Sequence, residues 1–215
     1  MLSKRLLEIA KLVDENKVVF DVGSDHGLLP CFLLTNNICP KAYAGDNKEL
    51  PLSRAKQSIS KYGLEGKVIP VLSDGLQKVE DDVDIVVIAG MGFYTVKHIL
   101  EGKDLSKYDK LIVQVNKDVN LLRQYISDQH YTILDEIVIN DGFYYQVVVF
   151  NSQYHDSYSD LEIKYGPCLL KKKSKEFLDY LTNHKKKLEN IYKKSNNPKT
   201  LQTIKEIEGI IDIIN

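Results

Sequence analysis

Over the first 150 residues two hydrophobic periods alternate. Residues 18–22 (VVFDV), 68–72 (VIPVL), 84–89 (DIVVIA) and 111–115 (LIVQV) are short apolar runs, and residues 43–46 form a weaker one. Runs of this length predict strands buried on both faces of a parallel sheet. Residues 52–62, 94–100 and 119–130 fit connecting helices. Pro30 and Pro51 mark helix starts, where the missing N–H is orphaned anyway. Strands alternating with helices at this spacing predict an α/β, doubly wound sheet. Residues 132–139 and 143–150 then read as two strands joined by Asn140-Asp141-Gly142, so the sheet is expected to end in an antiparallel hairpin.

Polar residues 151–160 (NSQYHDSYSD) have no period and read as a linker. From about Leu169 the apolar positions recur at helical spacing, through Leu170, Phe177, Leu181, Leu188 and Ile191. Ser195-Asn196-Asn197-Pro198 breaks the run, and Leu201, Ile204, Ile207, Ile211 and Ile214 resume it. Two such helices predict an antiparallel coiled-coil hairpin, too short to be stable without packing on itself and on the sheet. The expected division is a domain at 1–155 and a hairpin at 161–215.

The 215 residues are 43% hydrophobic and 27% charged, an ordinary globular composition that can bury one core. The first 17 residues carry charges at every turn, and no run reaches 18 uncharged apolar residues. Neither a signal peptide nor a membrane span is expected. Cys31, Cys39 and Cys168 are odd in number and lack metal-site spacing. They read as small buried hydrophobes in a cytoplasmic protein without a bound metal. The net charge of −1 hides an asymmetry: residues 164–205 hold 12 lysines against three acids. Either a polyanionic partner binds there, or the lysines clothe a solvated helix face.

Asp21-x-Gly23-x-x-x-Gly27 follows the first strand. It is not the dinucleotide fingerprint G-x-G-x-x-G, because only Gly23 and Gly27 are glycines, which disfavours a dehydrogenase. It has the form used by enzymes that bind S-adenosylmethionine, whose ligand lies across the carboxyl ends of the strands. Glycines let the backbone approach closely, and Asp21 or Asp25 can face the cationic methionine end. Asp46, with Asn47 beside it, closes the second strand and can accept from both ribose hydroxyls. Asp74-Gly75 follows the third strand, where a carboxylate can take the adenine amine. Ala89-Gly90-Met91-Gly92 follows the fourth, where a methyl acceptor enters. Each acid alone also suits a helix N-cap. Three acids at three successive strand ends favour a ligand crevice.

Beyond this crevice the sequence resembles the bacterial tRNA methyltransferases that modify N1 of adenine 22. The matching pieces are Leu2-Ser3-x-Arg5-Leu6, the run Asp21-Val22-Gly23-Ser24-Asp25-His26-Gly27-x-Leu29-Pro30, Asp74-Gly75-Leu76 and Ile88-Ala89-Gly90-Met91-Gly92. Gln114-x-Asn116, Asp141-Gly142 and Tyr165-Gly166-Pro167-x-Leu169-Leu170 also match. Val115 replaces a usual proline and Phe93 a usual glycine, both near the expected base pocket. The resemblance implies a class I, Rossmann-like methyltransferase sheet, S-adenosylmethionine as cofactor and tRNA as partner; a monomer is the expectation, with no sequence feature that fixes the oligomeric state. It assigns Ser24, Gly27, Ala89 and Gly90 to the cofactor walls.

N1 of adenine carries a lone pair at neutral pH, and its methylation yields a cation. Such an enzyme works by alignment, water exclusion and stabilisation of positive charge. The base must leave its stack to be reached. Asp25, His26, Met91 and Asn116 are the candidates to surround it. His26 reads equally as a cap of the next helix, Met91 as a pocket wall and Asn116 as a cap before Val119. Arg5 reads as a nucleic-acid contact or a partner of Glu8, and one of Tyr144 and Tyr145 as core. The alternatives are a methyltransferase for a small molecule or another RNA, or a non-catalytic nucleotide-binding module docking a protein through its coiled coil.

Overall fold

A computed structural model describes residues 2–214. Seven strands form one sheet in the order β3-β2-β1-β4-β5-β7-β6. These are β1 (Val19–Val22), β2 (Ala42–Asp46), β3 (Val68–Leu72), β4 (Ile85–Met91), β5 (Lys110–Val115), β6 (Tyr131–Asp141) and β7 (Phe143–Tyr154). The first five are parallel, and β7 enters antiparallel between β5 and β6. Alternate residues supply two separate cores. Phe20, Val86, Val113 and Val148 face one, while Val19, Val87, Ile112 and Val147 face the other. This two-sided burial is why the strands read as continuous apolar runs. Pro70 is tolerated because β3 is an edge strand with a single neighbour.

Helices α1 (Lys4–Ala10), α2 (Leu28–Thr35) and α3 (Glu49–Lys61) cover one face, and α4 (Phe93–Leu100) and α5 (Val119–Asp128) the other. Helices α2 and α3 begin two residues before Pro30 and Pro51, which fall at the third helical position instead of the first. The cost is nil, because the first four N–H groups of a helix are unpaired regardless.

The expected linker is shorter than its composition suggests. Asn151 to Tyr154 continue β7, paired to Tyr131 and Thr132, with Thr132 Oγ1 donating to the Gln153 carbonyl at 2.8 Å. Asn151 Oδ1 accepts the Gln153 N–H and the Tyr154 hydroxyl donates to Asp156, so hydrophobicity is no guide to this end of β7. A capping box of Ser159 and Glu162 then starts α6 (Asp160–Tyr165), followed by α7 (Pro167–Lys172).

The long helices are α8 (Lys175–Ser195) and α9 (Pro198–Ile214), antiparallel through Asn196 and Asn197 and tied by a Lys185–Glu208 ion pair. The expected continuous run from Leu169 is broken at Lys173, whose φ of 52° ends α7. The apolar stripe is also not purely an interhelical seam. Phe177, Leu181, Ile207 and Ile210 pack with Val138 of β6 and Leu169 of α7, whereas Ile191 near the far tip is exposed. Among the described residues no helix is long and apolar enough to cross a membrane.

Candidate active site at the strand ends

The chain leaves β1 through three left-handed residues in five: Gly23 (φ 71°), Asp25 (φ 47°) and Gly27 (φ 64°). The Gly23 and Ser24 N–H groups both donate to the Gly45 carbonyl at 2.9 Å, curling the loop over β2. Gly27 is needed for close packing, since a Cβ there would meet Ala55 of α3 at 3.2 Å. Gly23 is needed for its left-handed backbone; a Cβ there would also have to displace the Met91 methyl, the movable end of a flexible side chain. The loop and Ala89 enclose a cavity of about 210 Å³ lined by Asp21, Gly23, Ser24, Asp25 and His26, with Arg5 entering from α1.

Asp21 is buried, and its only side-chain partner is Ser24, whose hydroxyl donates at 2.6 Å. Among the described residues no cation pairs with it. Burial pushes its carboxyl up to about 7, with the nearby Asp46 charge adding to the effect and the Ser24 bond opposing it. A buried carboxylate without a counter-charge fits a ligand that brings one, as the methionine ammonium and sulfonium of S-adenosylmethionine would. Asp46 stands at the tip of β2, where one carboxylate oxygen accepts the Lys48 N–H at 3.0 Å. Asn47 is exposed beside it. Asp74 and Gly75, beyond β3, line a separate cavity of about 270 Å³ with His98 and Lys103. The three acids thus mark the carboxyl ends of three adjacent strands.

The ends of β4 and β5 are held by a small polar lattice. Gly90 (φ 83°) forms a bulge in β4. Its N–H donates to Gln114 Oε1 at 3.1 Å, and its carbonyl accepts from Asn116 Nδ2 at 2.7 Å. Gln114 is fully buried, and its amide donates to Asn116 Oδ1. Arg5 Nη1 donates to the same Gln114 oxygen, while its guanidinium lies over the Tyr145 ring, 5.3 Å from the centroid. Arg5 therefore does not pair with Glu8, which bonds Lys11; its guanidinium faces the crevice instead. Asn116 is not a helix cap either; Asp118 occupies that position in α5. Tyr145 packs with the α1–α3 core and Tyr144 with the hairpin, each half-buried, so neither is simply core.

Asp25 and His26 project from the loop, each about half exposed. Asp25 lies 3.5 Å from His26 Nε2 and 3.4 Å from Arg54 Nη1 of α3. Helix α2 has Gly27 as its N-cap and no side-chain cap bond, so His26 does not cap it.

A methyltransferase-domain family model matches residues 2–148. The chain is 31% identical to the tRNA (adenine(22)-N(1))-methyltransferase of Bacillus subtilis, over 99% of this chain and 95% of that protein. It belongs to this tRNA methyltransferase family. The structure of M. capricolum TrmK with S-adenosyl-homocysteine superposes with a TM-score of 0.84 at 32% identity, covering 100% of both chains. A Streptococcus pneumoniae protein in complex with S-adenosyl-L-methionine gives 0.88 at 29% identity, covering 98% of this chain and 100% of that one.

Within this methyltransferase the sequence left one feature unread. Arg123 of α5 is completely buried, bonding Glu136 at 2.6 Å and Gln146 at 2.5 Å. It also donates to the Ile163 and Lys164 carbonyls at the end of α6, while Glu136 accepts the Cys168 N–H at the start of α7. One ion pair thus caps two helix ends. Gly166 (φ 96°) lies between them, and a Cβ there would fall within 2.7 Å of both side chains. Its place in the Tyr165-Gly166-Pro167 motif is the only sign the sequence gives.

Proposed function

We propose that this chain transfers the methyl group of S-adenosylmethionine to N1 of adenine 22 in tRNA. The end-to-end likeness to an enzyme named for that reaction carries the reading, and the buried Asp21 without a counter-charge supports its cofactor half. When bound, S-adenosylmethionine supplies a methyl group on a positively charged sulfur. Asp21 holds the ammonium end, Asp46 with Asn47 the ribose hydroxyls, and Asp74 with Gly75 the adenine amine. Gly23, Ser24, Gly27, Ala89 and Gly90 form the backbone walls.

Asp25, His26, Met91 and Asn116 surround the acceptor base. Its N1 lone pair is already available, so no side chain has to remove a proton first. Met91 excludes water over Gly23, Asn116 fixes the turn that meets the base, and Asp25 offsets positive charge developing on the ring. Residues 1–155 carry this chemistry and residues 161–215 hold the RNA, in a monomeric cytoplasmic enzyme. Among the described residues only Lys164, Lys172 and Lys185 of the basic segment form ion pairs, leaving the other lysines available to phosphates.

The test is methyl transfer to unmodified tRNA, followed by nucleoside analysis. The expected product is 1-methyladenosine, absent when adenine 22 is replaced by guanine. Cofactor binding without uptake by tRNA would favour another substrate. Absence of cofactor binding would favour a non-catalytic module.

A further inference from the structure

A cavity of about 700 Å³ opens between the β6–β7 turn and α8, outside the cofactor crevice. Asn116 lines it, so it begins where the acceptor turn ends. Its other walls include Asn140, Phe143, Asn183, His184 and Lys187. The chemistry of these walls is selective. Asn140 and Asn183 can each present a donor and an acceptor, as the edge of a nucleobase requires, while Asn116 is held by Gly90 and Gln114. Phe143 stands 72% exposed beside Gly142 (φ 76°), an apolar ring offered to solvent with no partner ring among the described residues. Across the gap the His184 ring is stacked on Tyr180, centroids 5.8 Å apart and 5° from parallel, which fixes its plane. Burial and the charges of Lys187 and Lys164 lower the His184 pKa, which favours the uncharged ring. Lys187 supplies the one positive charge, and no carboxylate lines the cavity among the described residues. Flat rings, amides and a cation without an acid are the components of a single-stranded nucleotide site.

We propose that this cavity holds a nucleotide next to the target adenine, one that loses its stacking partner when that base leaves the helix. Phe143 or the His184 ring stacks on the base, Asn140 and Asn183 read its edge, and Lys187 meets its phosphate. This rests on the tRNA reading above and adds a second base contact to it. A target base pulled from its helix leaves a neighbour whose stacking partner is lost. A site for that neighbour offsets the loss and selects the sequence beside the target.

The test is a double-mutant cycle on binding, using full-length protein and tRNA transcripts with an abasic residue at either neighbour of adenine 22. For the unmodified protein, an abasic residue at one of the two neighbours is expected to weaken binding about tenfold. Asn183→Ala and Phe143→Ala are expected to weaken binding of intact tRNA similarly, while losing little further on that abasic transcript. Affinity for S-adenosylmethionine should be unchanged in both variants, which also reports that they are folded. Lys187→Ala should instead lower the salt dependence of binding by about one phosphate contact. Additive losses at both abasic positions, or wild-type affinity of both variants, would overturn the proposal. Failure of the unmodified protein to methylate intact tRNA would overturn the tRNA reading itself, a result separable from the binding cycle.

Discussion

The Met91 methyl fills the volume that a side chain on Gly23 would need, so the first and fourth strand-end loops meet across the crevice without a Cβ between them. The two motifs form one wall. Gly23→Ala is expected to push Met91 aside and to strain a backbone at φ 71°. Calorimetry should show at least tenfold weaker S-adenosylmethionine binding. Adding Met91→Ala should restore part of the loss, the steric share, but not the share due to backbone strain. Full recovery, or none, would contradict this division.

Asp21 predicts a pH dependence with a definite sign. Its folded-state pKa, about 7, lies above the ordinary 3.8, so the folded chain holds a proton that the unfolded chain releases. The stability from this group is fully present below about pH 4 and is lost as pH rises through 7. Asp21→Asn should therefore raise Tm at pH 8 with little change at pH 4. Cofactor binding needs the ionised carboxylate, so the unmodified protein should bind S-adenosylmethionine less tightly as pH falls below 7. The variant should bind weakly throughout. Thermal scans and titrations across this range check both signs.

Arg5 is expected to act through Gln114 and the Gly90 turn. Arg5→Lys keeps the charge but loses the planar group over Tyr145. We expect kcat to fall about tenfold or more, with tRNA affinity little changed. A proportional loss of tRNA affinity and salt dependence would make Arg5 an RNA contact instead.

The sheet was legible because its strands are buried on both faces, which leaves apolar runs such as IVVIA in β4. The glycine turn after β1 was legible because Asp21, Gly23 and Gly27 sit where such a run ends, and the structure places Asp21, Gly23, Ser24, Asp25 and His26 around one cavity while Asp74 lines another. Arg5, Gln114 and Asn116 formed no visible unit, since their meeting depends on α1 packing against β6, from where the long Arg5 side chain reaches β5. Their separations of 109 and two residues carry no periodic signal. The continuation of β7 through Asn151 was hidden for a related reason. Strand pairing uses backbone groups, and polar side chains there mimic a linker.

Asp25 is flanked by His26 and Arg54, neither of them buried. Exposed pairs of this kind contribute little to stability, about 0–1 kcal/mol. Asp25→Asn should therefore leave the fold nearly unaffected. With both substrates saturating, single-turnover methylation should slow if the carboxylate offsets charge on the adenine ring. A wild-type rate would remove Asp25 from the chemistry.

Arg123→Met is expected to leave Glu136 buried without a counter-charge and two α6 carbonyls without a donor. Removing one partner of a buried pair costs about 3–5 kcal/mol. Urea unfolding should show that loss. Cofactor affinity should change far less, because the pair lies at the hairpin base and not at the strand ends.

The same ion pair limits how this protein can be cut or recombined. Ending the chain before Asp160 strips Arg123 of the carbonyls it caps and uncovers Glu136, so the helical hairpin is not a detachable cassette. Grafting it onto another sheet would succeed only if Arg123, Glu136 and Gly166 travelled with it. These three residues, from α5, β6 and the α6–α7 turn, work as one joint.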